Sequence, residues 1–256
     1  MAPKKKIEDS VNKFINLEGF EKEDVLLISP FTLLCVGCTQ AGKSSTILSY
    51  LREPQKIFNT NFDQIIYLYG SDMQEKFLDP QLKHVNFTKD LNVLQNLEKT
   101  ENGILLILDD LLSELGSDTL LQNLFTREAH HKNISIVFIS QTAFLDSKHW
   151  RLIKENTLYF ILKMHTNPLK LKALAPQLGI KLEELMTAYK YVTDIDIYNS
   201  LFIDKHIRSK LRPISPMRYD LLNGSKLLIP DNDLQYHLRQ NKIQHLANDS
   251  YIMTPK

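Results

Sequence analysis

Cysteine is almost missing from this chain: Cys35 and Cys38 are the only ones in 256 residues. A disulfide-built secreted fold is thereby excluded. Their C-x-x-C spacing could mark a redox or metal pair, but no second Cys or His pair accompanies it, as a zinc site requires. Cys35 falls in an apolar run and Cys38 in a glycine-flanked loop, so both read as small packing residues suited to a reducing compartment. Long apolar runs are missing too. None approaches the roughly 18 residues of a membrane span, and the N-terminus has no signal-peptide hydrophobic region. An intracellular protein without a membrane partner is expected. Excess charge of one sign is also absent, since 31 Lys and Arg face 30 Asp and Glu for a net charge of +1. Any contact with nucleic acid must then come from a local patch or an assembled ring. Apolar side chains, by contrast, are plentiful. A hydrophobic content of 43% supports a substantial core, and the length suits one large α/β domain, alone or with a small appendage.

The apolar residues fall into short, near-continuous runs at 31–36, 64–69, 104–108, 134–140 and 157–162, with a weaker one at 84–87. Such runs are expected of parallel strands covered on both faces. Helical stretches separate them at 46–52, stopped by Pro54, at 91–98, and at 118–131 behind an Asp118 cap. Strand alternating with helix predicts an α/β fold, a three-layer sandwich around a mostly parallel central sheet. Residues 24–29 read as an accessory strand. Beyond Met164, stretches 168–178 and 182–191 read as helices and 200–203 as a strand. The expected organisation is a polar basic tail over 1–22, one domain over 23–212 and a polar tail over 213–256. Within the first tail, Pro3-Lys4-Lys5-Lys6 reads either as an import signal or as a solvated charge run.

Glycine is scarce, with 8 residues, yet Gly37 and Gly42 frame the octet Gly37-Cys38-Thr39-Gln40-Ala41-Gly42-Lys43-Ser44. This is a complete P-loop, entered from the apolar run 31–36 and followed by Ser45 and a helix. Its backbone N–H groups can cradle phosphates, Lys43 can reach the β- and γ-phosphates, and the Ser44 hydroxyl can ligate Mg²⁺. ATP and Mg²⁺ are therefore the expected ligands. Downstream, the run 104–108 ends in Asp109-Asp110. A buried strand tip of this kind puts Asp109 beside the metal held by Ser44, and Asp110 is placed to orient or deprotonate the attacking water. The next run ends in Ser140-Gln141, where Gln141 can hydrogen-bond both the γ-phosphate and that water. These strand tips favour water as the phosphoryl acceptor and predict a P-loop NTPase of the ASCE type.

The trio 37–44, 104–110 and 136–141 resembles the FtsK/HerA superfamily of motor ATPases. Within it, the chain is most similar to the poxvirus-type genome-packaging ATPases of large DNA viruses, virophages, Maverick/Polinton elements and adintoviruses. Leu124-Phe125-Thr126-Arg127, then His130-His131, then a strand ending in Ser140-Gln141-Thr142 carries the likeness, and Asn167-Pro168 is also similar. Glu128-Ala129 departs from the Gly-Arg common in that family. The resemblance covers roughly residues 28 to 205. It implies a homo-oligomeric ring, a pentamer or hexamer, that hydrolyses ATP to move double-stranded DNA into a capsid. It further implies contact with capsid proteins and a place in the host nucleus, at a cytoplasmic assembly site or in the virion. In such rings an arginine completes the neighbouring subunit's site; Arg127 is the candidate, with Arg151 as the alternative. Lys148, Arg151, Lys154, Lys163, Lys170 and Lys172 form either a channel-facing basic patch or a solvated surface.

Two other classes remain open on the residues alone. A nucleotide or nucleoside kinase would need an acceptor pocket and an arginine-rich lid, and no lid segment is evident. A nucleotide-binding switch with little hydrolysis would not need the Asp110 and Gln141 pair.

Overall fold

The computed structural model describes residues 14–17, 21–70, 79–111, 119–141, 148–165 and 168–230. Its strands are β1 (Phe14–Leu17), β2 (Thr32–Val36), β3 (Gln64–Tyr69), β4 (Val85–Thr88), β5 (Ile104–Asp109), β6 (Ile134–Ser140), β7 (Tyr159–Leu162), β8 (Leu201–Asp204), β9 (Met217–Tyr219) and β10 (Lys226–Pro230). The chain divides into two compact units. One is Leu27–Phe160; the other joins Met1–Leu26 to Ile161–Lys256.

In the Leu27–Phe160 unit the strands run in the order β2-β6-β5-β3-β4, each parallel to the next. All residues of β2, β5 and β6 are buried. Successive side chains point to opposite faces, so a strand buried at every position is covered on both. This is the α/β sandwich that the continuous apolar runs predict. The Asp-bearing strand β5 is separated from the loop-bearing strand β2 by β6, the ASCE order. Helix α1 (Lys43–Arg52) buries Ile47, Leu48, Tyr50 and Leu51 and stops just before Pro54. It begins three residues earlier than the apolar pattern suggests, because Lys43 and Ser44 of the loop supply its first turn. Helix α2, over residues 119–131, buries Leu121, Leu124, Phe125 and Ala129; Phe125 meets Phe138 edge-on, with centroids 6.4 Å apart.

Some expectations change. Residues 24–29 do not form a strand: Lys22–Val25 is a helical turn, and only Leu27 makes an isolated bridge, to Phe58. The stretch 91–98 holds a 3₁₀ turn, Leu91–Gln95, rather than an α-helix, with Asp90 accepting the Asn92 N–H as its cap.

The second unit is antiparallel, with β1 paired to β10, β10 to β9 and β9 to β8. The polar tail expected from residue 213 is therefore wrong as far as 230, and the tail expected over 1–22 contains β1. Charged residues disguise this sheet. Arg218 of β9 is 1% exposed, its guanidinium 3.3 Å from Asp204 of β8, 2.9 Å from the Val25 carbonyl and 4.6 Å above the Phe202 ring. A buried arginine held by a carboxylate, a carbonyl and a ring satisfies a core position that looks solvent-facing in sequence. Leu227, Leu228 and Ile229 of β10 are fully buried. Pro3–Lys6, Asp118, Asn167 and everything after 230 lie outside the described residues. Among the described residues no helix is long and apolar enough to cross a membrane.

Candidate active site

Parallel strands bring their C-terminal ends to one edge, where ligands of α/β sheets bind. Here β2 delivers the loop 37–44, β5 delivers Asp109 and Asp110, and β6 delivers Gln141. The register sets Val36 opposite Ser140 and Asp109 opposite Ile139. Gly42 takes a left-handed φ of 76° as it opens α1, a conformation that glycine adopts without steric cost. Gln40 is left-handed as well, at 64°. Lys43 Nζ donates to the Gly37 carbonyl at 2.9 Å and the Cys38 carbonyl at 2.8 Å. Its ammonium thus lies over the loop's own turn. Cys35 is buried, Cys38 is half-buried in the loop, and neither is in a disulfide.

Gln141 joins the strand tips. Its Oε1 accepts from Thr39 Oγ1 at 3.3 Å, and its Nε2 donates to Asp110 Oδ1 at 3.4 Å. The bridge therefore runs from the phosphate loop to the second carboxylate. Asp110 is exposed and sits at a left-handed φ of 56°. Its backbone is wedged against Gly70: a Cβ on Gly70 would come within 2.4 Å of the Asp110 carbonyl oxygen. The Gly70 N–H also donates to the Asp109 carbonyl at 3.0 Å. The end of β3 thus fixes the turn that presents Asp110.

Asp109 is 4% exposed, and its Oδ2 accepts a 2.6 Å hydrogen bond from the Tyr67 phenol. Burial first, then the Asp109 charge, holds that phenol well above the ordinary tyrosine range. Tyr67 is therefore a protonated donor to a carboxylate. The nearby Ser44 hydroxyl works in the opposite direction. A hydroxyl and a carboxylate at one spot are hard oxygen donors of the kind Mg²⁺ takes. Among the described residues no group of three or more His, Cys, Asp or Glu side chains gathers to hold a metal. Sequence reading gave Tyr67 no role. The signal was available, because a tyrosine inside an otherwise apolar strand needs a partner for its hydroxyl.

The structure brings together the loop 37–44, Asp109, Asp110 and Gln141, with Ser45 exposed at the start of α1. Arg127 stands elsewhere. It lies in a π-helical turn of α2, Leu124–Glu128, closed by the Ala129 N–H donating to the Leu124 carbonyl. It lines a surface groove of about 310 Å³ with Asn123, Glu128, His131 and Lys132, and none of these residues belongs to the phosphate loop. Within the basic group, Lys154 is 8% and Lys163 2% exposed, and Lys163 donates to the Tyr198 carbonyl. Those two are core-facing and not part of a surface patch. Arg151 and Lys172 are exposed, and the side chains of Lys148 and Lys170 lie outside the described residues.

No family model matches the chain, and no curated protein does. Among solved structures it is similar to B204, the DNA-packaging ATPase of Sulfolobus turreted icosahedral virus, at 15% identity over 69% of this chain and 93% of that one, with a TM-score of 0.47. The genome-packaging NTPase B204 of Sulfolobus turreted icosahedral virus 2 with ATP-γS shares 12% identity over 82% and 98% of the two chains, with a TM-score of 0.45. The cytoplasmic domain of the Thermomonospora curvata type VII secretion ATPase EccC shares 13% identity over 88% of this chain and 29% of that one, with a TM-score of 0.48. Identity and TM-scores this low leave function to be read from the chain's own residues.

Proposed function

We propose that this chain is an ATPase that works in a homo-oligomeric ring and drives double-stranded DNA into a preformed capsid. The observation that carries the hydrolytic half is the Gln141 bridge, which ties Thr39 of the phosphate loop to Asp110 at the neighbouring strand tip. A glutamine in that position can hold a water in line with the γ-phosphate while Asp110 takes its proton. The loop N–H groups of residues 37–45 bind the phosphates, and Lys43 moves from its loop carbonyls to their oxygens. Ser44 and Asp109 would hold Mg²⁺, which when bound supplies positive charge against the phosphate oxygens.

The DNA-packaging half rests on the resemblance of residues 124–142 to packaging ATPases. The exposed Arg127, in a groove apart from its own chain's loop, fits a residue that completes a neighbour's site. Capsid proteins are the further partners this reading implies, and the host nucleus or a cytoplasmic assembly site is its place of action.

A mixing experiment tests the ring. Lys43→Ala subunits are expected to lose turnover by about 10²-fold or more, as removal of a main phosphate-stabilising group does. Arg127→Ala subunits are also expected to be slow. Mixed together, the two should regain activity, because each supplies what the other lacks. An assembled mixture no faster than the sum of its parts would contradict action across subunits.

A further inference from the structure

Tyr67 is a polar side chain near the loop edge that the proposed chemistry leaves without a task. It is fully buried, and its ring packs on Phe87 of β4 with centroids 5.2 Å apart. In register it faces Ile107, one pleat before Asp109 on the same face of the sheet. The phenol gives its single hydrogen to Asp109 Oδ2. The consequence is orientational, because this 2.6 Å bond holds Asp109 Oδ2 at a fixed place.

We infer that Tyr67 is a positioning residue, which holds the Asp109 carboxylate in place for a divalent cation through its phenol hydrogen bond. The inference rests on the phosphate-loop reading given above. It adds a residue on β3 that the P-loop and the Asp-tipped strand do not predict.

The test is a Mg²⁺ titration of fluorescent ATP-analogue binding to the full chain, comparing wild type with Tyr67→Phe and Ile65→Val. Tyr67→Phe keeps the ring on Phe87 and removes the hydrogen bond to Asp109. Ile65→Val thins the same strand and keeps the phenol. Loss of a charge-assisted bond predicts that Tyr67→Phe needs about tenfold more Mg²⁺ for half-saturation. Its binding in EDTA should stay within about twofold of wild type, and its kcat at saturating Mg²⁺ should largely recover. Ile65→Val should melt at a lower temperature and keep the wild-type Mg²⁺ requirement. An unchanged half-saturation in Tyr67→Phe, an equal shift in Ile65→Val, or a Tyr67→Phe chain that does not fold would each overturn the positioning role. A wild-type chain that binds the analogue with no Mg²⁺ dependence would instead overturn the phosphate-loop reading itself, so the two failures are distinguishable.

Discussion

Lys43, Ser44, Asp109, Asp110 and Gln141 differ in how they meet their surroundings, and the differences suit their tasks. Asp109 is buried and held by a phenol, as a carboxylate that must keep a fixed place should be. Asp110 is exposed, and among the described residues its carboxylate takes the 3.4 Å contact from Gln141, which leaves it open to water. Replacing Gln141 by Ala removes both the contact to Thr39 and the contact to Asp110. Nucleotide affinity should stay within about threefold while kcat falls by about 10²-fold, the usual cost of losing one preorganised polar group. Equal kcat in wild type and Gln141→Ala, measured by steady-state phosphate release, would remove Gln141 from the mechanism. These residues were legible in sequence because their chemistry demands fixed types at strand tips. Tyr67 was legible only as a hydroxyl in need of a partner; that the partner is Asp109 depends on which strand lies beside β5, and no local pattern states that β3 does.

At the scale of elements, the turn after β5 is set from outside itself. Asp110 holds a left-handed φ, and Gly70 at the end of β3 leaves the space its carbonyl occupies. A methyl group there would overlap that oxygen, so either β3 or the Asp110 turn must move. Gly70→Ala is expected to cost about 1–3 kcal/mol of stability and to lower kcat more than it raises KM, because the displaced group is Asp110 rather than the phosphate loop. Denaturant unfolding together with steady-state kinetics checks both parts; wild-type values in both would show that the turn tolerates the methyl. The parallel strands were readable because burial on both faces writes an unbroken apolar run. The antiparallel strands β9 and β10 were not. Met217–Tyr219 is only 3 residues long and has Arg218 at its centre, and the partners that make that arginine a core residue come from Val25, Phe202 and Asp204. Proline at 213 and 216 added to the appearance of a tail.

On the scale of the whole molecule, a parallel unit carrying every proposed catalytic group of the chain's own site is accompanied by an antiparallel unit built from both ends of the described chain. The near-zero net charge offers no general attraction for nucleic acid, so the proposed motor would have to grip DNA through a few exposed cations repeated around a ring. Burial of Lys154 and Lys163 shortens the set of such cations. Arg151 and Lys172 remain exposed. A motor of this kind should couple its turnover to the polymer it moves, and salt should weaken that coupling as it screens the phosphate contacts. The most direct measurement is steady-state ATP hydrolysis by the full chain with and without long double-stranded DNA. Turnover raised by about tenfold or more by the DNA, and lost in Lys43→Ala, is the predicted result. Turnover indifferent to DNA, or raised instead by a small nucleoside acceptor, would contradict the motor.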